Sequence, residues 1–388
     1  MKQKFNLPIL TFGHFGVDLA CLYFYFTNFP QSGMIAPIGA ALLYNFLAFA
    51  LQAPIGYFFD RFPAKRSTTI GILFILCGYA CGLFHLPIAG LVLCGFGNAF
   101  YHVGGSIGIA RTDEKGLRDS GIFVASGALG VSLGTYLANH GHGLPVSFFC
   151  STTALIILLL IVLFLLQLPV VSPDKKIQNP FSAKTNAALL LLSLLAVFIR
   201  SLGGLFFPAS YKELFALPEN ISLTIFLTAM ASGIVAFLGK FLGGFLSLFC
   251  TNLLHKWMPH KTIDLRTGNY LFGAATLLLS TLLLTLGRNT PTLCFLGILC
   301  FHAAMPVTLF ELYCILPDRP GFAMGLSTVM LFLGYLPYAF VPLDGLPSAL
   351  ILCLLTLLAV VCMIASLLIY RKAIHNNERS TQGGTSCN

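Results

Sequence analysis

Long apolar runs alternate with short polar breaks along almost the entire chain. Each run approaches the roughly 20 residues an α-helix needs to cross a bilayer. Twelve such helices can be drawn, over residues 6–29, 34–59, 67–85, 87–110, 120–139, 145–169, 186–210, 221–249, 267–286, 292–315, 320–341 and 346–370. The one polar break of any length, "VSPDKKIQNPFSAKTN" at 171–186, follows the sixth run and divides the set evenly. The pattern predicts an all-α polytopic membrane protein: a six-helix bundle over 1–170, a linker over 171–185, a second bundle over 186–370 and a disordered tail over 371–388.

The halves echo each other. Gly97 and His102 in span 4 match Gly297 and His302 in span 10, and Gly121 and Gly134 in span 5 match Gly321 and Gly334 in span 11. One offset relates all four pairs, which favours a duplicated six-helix unit and hence two pseudo-symmetric bundles. Paired halves with a site between them are a transporter architecture.

Composition agrees with the pattern. Of 388 residues, 57% are hydrophobic and only 9% charged, too few charges to cover a soluble protein of this size. The net charge of +9 is a topology signal, since all basic residues except Lys212, Arg288, Arg200 and Lys240 fall in alternate loops or at the termini. That distribution predicts an inner or plasma membrane protein with both termini cytoplasmic, and no nucleic-acid partner. The twelve cysteines are scattered through apolar runs without pairing or zinc spacing, and read as small buried hydrophobes. Residues 1–28 carry His14 and Asp18 and lack a small-residue cleavage site, so they read as a retained first span.

Within the spans, polar residues are few enough to examine singly. His14 and Asp18 lie one helical turn apart on one face. A carboxylate in mid-membrane must face a cavity or a partner, and Asp18 is the only acid deep in the first six runs. His102 stands inside the apolar run "GNAFYHVGGSIGIA" (97–110), and an imidazole there suits proton exchange. These three are the candidate proton-coupling residues. If spans 1 and 4 meet they could instead hold a metal ion, although no metal or other cofactor is expected. Arg200 lies well inside span 7 and needs an anion, carbonyls or water; with His302 and His102 it is a candidate substrate contact. Lys240 is expected to snorkel from span 8, and Glu311 to be a helix-end charge. The glycines of "SGALGVSLG" give span 5 a face suited to close packing.

The loop "GYFFDRFPAKRS" (56–67) resembles the G-x-x-x-D-R-x-G-R-K signature of the major facilitator superfamily, with Pro63 in place of the usual glycine. The resemblance implies a conformational gating role for Gly56, Asp60, Arg61, Lys65 and Arg66. The equivalent "GKFLGGFLS" (239–247) lacks the Asp-Arg pair. Three further stretches are similar to the fosmidomycin-resistance branch: "GHFGVDL" (13–19), "GFGNAFYHVGGSIGIAR" (95–111) and "MPVTLFELYCILPDRPGFAMGLS" (305–327). Val103 and Gly104 stand where that branch often has proline and an acid. The resemblance implies efflux of a small molecule in exchange for protons.

No nucleotide-binding glycine loop and no Ser/His/Asp constellation is present, so an enzyme is not expected and an ion gradient is the expected energy source. Against one deep acid, Arg200 and the histidines suit an anionic or zwitterionic small molecule. The rival functions are proton-coupled uptake of an anionic metabolite and a non-transporting receptor or scaffold on a transporter-like fold. A monomer in the lipid bilayer is expected.

Overall fold

The computed structural model describes residues 6–29, 35–141, 145–167, 181–217, 219–258, 263–341 and 346–383. These residues are helical, without strands, and contain twelve helices long and apolar enough to cross a membrane. We label them α1 (Asn6–Asn28), α2 (Ile38–Phe59), α3 (Ala64–Leu83), α4 (Pro87–Ile109), α5 (Glu114–Gly141) and α6 (Val146–Gln167). The second half comprises α7 (Ala183–Gly204), α8 (Ile221–Trp257), α9 (Leu265–Leu286), α10 (Pro291–Ile315), α11 (Pro320–Phe340) and α12 (Ser348–Asn377).

Packing repeats between the halves. The pairs α1–α5 and α3–α4 in the first half correspond to α7–α11 and α9–α10 in the second, and the halves meet along α5–α8 and α2–α11. The four residue pairs at constant offset do equivalent work. Gly97 meets Gly71 and Ile75 of α3, and Gly297 meets Leu284 of α9. Gly121 lets α5 approach the α8 backbone at Lys240 and Gly244, and Gly321 lets α11 approach Asp60 of α2. Gly134 lies on Leu19 of α1, and Gly334 on Ser201 of α7. Missing side chains at these points let helix backbones come close where the bilayer offers no hydrophobic drive to association.

The helices differ in what surrounds them. Only 22% of the apolar window of α6 is buried within the protein, whereas 67% of that of α4 is. The first faces outward, as a lipid-exposed helix would; the second runs through the centre and carries His102.

Two boundaries depart from the sequence reading. The expected disordered tail over 371–388 is helical through Gly383, because no glycine or proline interrupts the helix formers after Tyr370. The second bundle begins at Ala183, where the Ser182 hydroxyl accepts the Thr185 amide as an N-cap. Most of the linker expected over 171–185 lies outside the described residues, as do 384–388.

One helix is irregular. Residues Phe46–Ala50 of α2 form a π-turn, with the Leu51 amide donating to the Phe46 carbonyl at 3.3 Å. The Phe49 carbonyl accepts from the Thr328 hydroxyl of α11 at 3.0 Å, tying the irregular turn to the other half.

Candidate functional site

The structure brings His14, Asp18 and His102 together. His14 and Asp18 share a face of α1, with Nε2 3.2 Å from Oδ2, and α4 places His102 Nε2 3.7 Å from Oδ1. The two imidazoles meet edge to face, 4.4 Å between centroids. Exposure is 4% for His14, 7% for Asp18 and 5% for His102.

Both rings are held by their other nitrogen. His14 Nδ1 lies 2.7 Å from the Phe123 carbonyl of α5, and His102 Nδ1 lies 2.9 Å from the Asn98 carbonyl one turn earlier. A carbonyl only accepts, so each Nδ1 carries a proton and donates it. In the neutral rings both Nε2 lone pairs then point at the Asp18 carboxylate. The Asn98 side-chain amide donates to Asp18 Oδ1 at 2.8 Å, leaving Oδ2 facing His14 without a donor of its own. Three acceptors thus converge, and a proton between His14 and Asp18 turns their 3.2 Å approach into a hydrogen bond. The ligand atoms of the three residues all lie within 4.8 Å of one another, a spacing a metal ion could also bridge.

Sequence reasoning missed two parts of this cluster. Asn98 is one turn before His102 in "GNAFYHVG", a spacing that puts both on one face, and it supplies the carboxylate's donor. Gly127 of α5 covers the pair, and a Cβ there would strike His14 Nε2 and Asp18 Oδ2.

The cluster opens on a cavity of about 410 Å³ between the halves, where Lys240, His302 and Met305 face His14, Asp18 and His102. Lys240 therefore points into the protein's centre, contrary to the snorkelling expected from sequence. His302 packs against the Phe207 and Phe301 rings and lines the cavity opposite His102. Arg200 is not on the cavity wall. Its guanidinium donates to the Phe301 carbonyl at 3.1 Å and to the Thr308 hydroxyl at 3.5 Å, and lies 5.2 Å from the Phe301 ring centroid. It adds positive potential from behind the wall and makes no ion pair with Asp18.

A second space, about 640 Å³, adjoins the first at Asp18, Phe49 and Val131 and is lined by Tyr25, Tyr44, Tyr335 and Tyr338. It reaches the surface at Ile38 and Tyr338, which are 55% and 60% exposed.

The opposite end is shut. Asp60, at the end of α2, accepts from the Gly321 amide at 2.7 Å and the Phe322 amide at 3.0 Å. A carboxylate thus caps the positive N-terminus of α11 across the halves. Gly56 meets the Gly321 backbone directly, Ser106 donates to the Pro320 carbonyl at 2.9 Å, and Arg319 donates to the Tyr57 carbonyl at 3.3 Å. Arg61, Lys65 and Arg66 are exposed beside this contact, Arg61 over the Tyr57 ring and Arg66 over the Phe62 ring.

Glu311 is a buried ion-pair partner and no simple helix-end charge. It is 2% exposed and receives Arg266 Nε at 3.1 Å, together with Arg266 Nη2 and the Tyr270 hydroxyl. Phe181 and Tyr370 flank the guanidinium.

The sequence profile of the Major Facilitator Superfamily matches residues 7–339. The chain belongs to that superfamily. Solved members share its architecture at low identity. The outward conformation of the transporter FucP aligns with 14% identity over 96% of this chain and 99% of its own, with a TM-score of 0.61. The human organic anion transporter MFSD10 (TETRAN) gives 13%, 94%, 99% and 0.61 by the same measures. A bacterial homologue of the iron transporter ferroportin, in an outward-facing state, gives 15%, 97%, 100% and 0.56. No curated protein sequence matches significantly. As a superfamily member the protein is a multi-pass membrane transporter, with a small-molecule substrate, and neither its family nor its neighbours point to an enzyme.

Proposed function

We propose that the protein is a secondary transporter that expels a small anionic or zwitterionic organic molecule in exchange for protons, by alternating access of its two halves. The observation that carries the proton is the surplus of acceptors at His14, Asp18 and His102, which one proton relieves without moving any atom. A metal dication at the same place would meet Lys240 in the same cavity, so the proton is the better occupant. Efflux follows the resemblance to the fosmidomycin-resistance branch.

With the basic loops cytoplasmic, the Asp60 latch closes the inner side and the tyrosine-lined space opens outward. In that state the cluster is reachable from outside and can take up a proton. Rocking the halves would break the latch, expose the cluster to the cytoplasm and admit the substrate. Gly56 and Asp60 gate the motion, while Arg61, Lys65 and Arg66 lie where the separating ends would pass. His302 and His102 line the binding space from opposite halves, and Arg200 tunes its potential.

The test is reconstitution in liposomes under an imposed pH gradient, against a panel of organic anions, zwitterions and drugs. Solute movement against its own gradient, with opposite proton flux and loss of both in Asp18→Asn, is the expected result. Cotransport in the direction of the proton would replace efflux by uptake, and absence of any gradient-driven movement would end the coupled reading.

A further inference from the structure

We propose that Lys240 is the anchor for a single carboxylate or comparable monovalent oxyanion, on a substrate whose apolar, aromatic body lies in the tyrosine-lined space. The proposal rests on the transporter reading and names the substrate class of that site.

The α8 backbone at Lys240 is clamped. Gly239 lies against His302 and Leu299 of α10, Gly243 against Ala303, and Gly244 against Leu117 and Arg118 of α5. Gly121 of α5 packs on the carbonyl of Lys240 itself. With both flanks wedged between helices, the side chain projects into the cavity. An ammonium there is costly unless it meets an anion or water.

No resident anion satisfies it. Among the described residues no carboxylate pairs with Lys240, and the one acid on the cavity wall, Asp18, is engaged by His14, His102 and Asn98. Arg200, also without a carboxylate, strengthens the positive potential from behind. His302 lines the same wall and adds a ring nitrogen within the cavity. One ammonium suits one anionic group, since a polyanion would leave further charge uncompensated in a low-dielectric space.

The adjoining space supplies the other half of the recognition. Tyr25 and Tyr44 stack with centroids 6.2 Å apart, and Tyr335 and Tyr338 pair at 5.4 Å. Together with Phe26 and Phe49 they offer flat, apolar contact beside the charged cavity.

The test uses the purified full-length protein without any gradient and reads binding by thermal stabilisation. Probes are phenylacetate, indoleacetate and naphthoate, each beside its carboxamide and its amine. The carboxylates are expected to bind about tenfold to a hundredfold tighter than the amides. Lys240→Met should erase that preference and leave amide binding unchanged, and Lys240→Arg should keep it. Equal binding of the three chemistries, preference for the amines, no binding by any probe, or a carboxylate preference that survives Lys240→Met overturns the assignment. Because binding is read without transport, failure here leaves the transport reading standing. Conversely, carboxylate binding without gradient-driven movement removes coupled transport and keeps the site.

Discussion

The Asp60 carboxylate accepts the Gly321 backbone amide at 2.7 Å, so the end of one half caps the first turn of a helix in the other. The bond is charge-assisted, and the Phe322 amide adds a second. Each is worth about 1.5–3 kcal/mol, enough to bias a two-state equilibrium more than tenfold. Asp60→Ala should therefore populate the state open at this end. Spin labels at positions 61 and 318, in a cysteine-depleted background, should report a second, longer distance. A distribution identical to the parent's would refute the latch.

Asp18→Asn should fold normally, because an amide fits the same space and Asn98 can still donate to it. It should lose proton-driven accumulation at least tenfold while still passing solute down the solute's own gradient. Gradient-driven transport at the parent rate would remove Asp18 from coupling.

Gly127→Ala places a methyl group against His14 and Asp18. Overpacking of this kind costs about 1–3 kcal/mol. Gly39→Ala is the matched control, since nothing lies within 4 Å of a Cβ built there. Thermal unfolding in detergent should fall for the first and hold for the second.

Glu311→Ala should destabilise the protein by about 3–5 kcal/mol, by leaving Arg266 buried and unpaired. Adding Arg266→Met should recover much of the loss. A thermal-stability cycle showing simple additivity would mean that the pair is not coupled.

The spans were legible because charge is so scarce that each polar break stands out. His14 and Asp18 were legible as a pair because four residues make one helical turn. The four repeated positions were readable too, and the packing of Gly121 and Gly321 shows why: each lets a helix of one half touch the other half. Contacts between helices distant in sequence were not legible. No local pattern says that Phe123 will offer its carbonyl to His14, or that Arg266 will reach Glu311. Lys240 was misjudged for the same reason. Its position along α8 suggested an aqueous end, but the glycines around it draw α5 and α10 close and turn it inward.

The π-turn at Phe46–Ala50 makes α2 one residue longer than a regular helix over the same rise. Deleting a residue there would regularise the helix, but it would also swing everything beyond by about 100°. Gly56 and Asp60 lie on that far side, so both would rotate away from α11. The surplus residue acts as a phase correction, and no set of point substitutions downstream can replace it. In lineage terms, the insertion and the contact it aims must be gained or lost together.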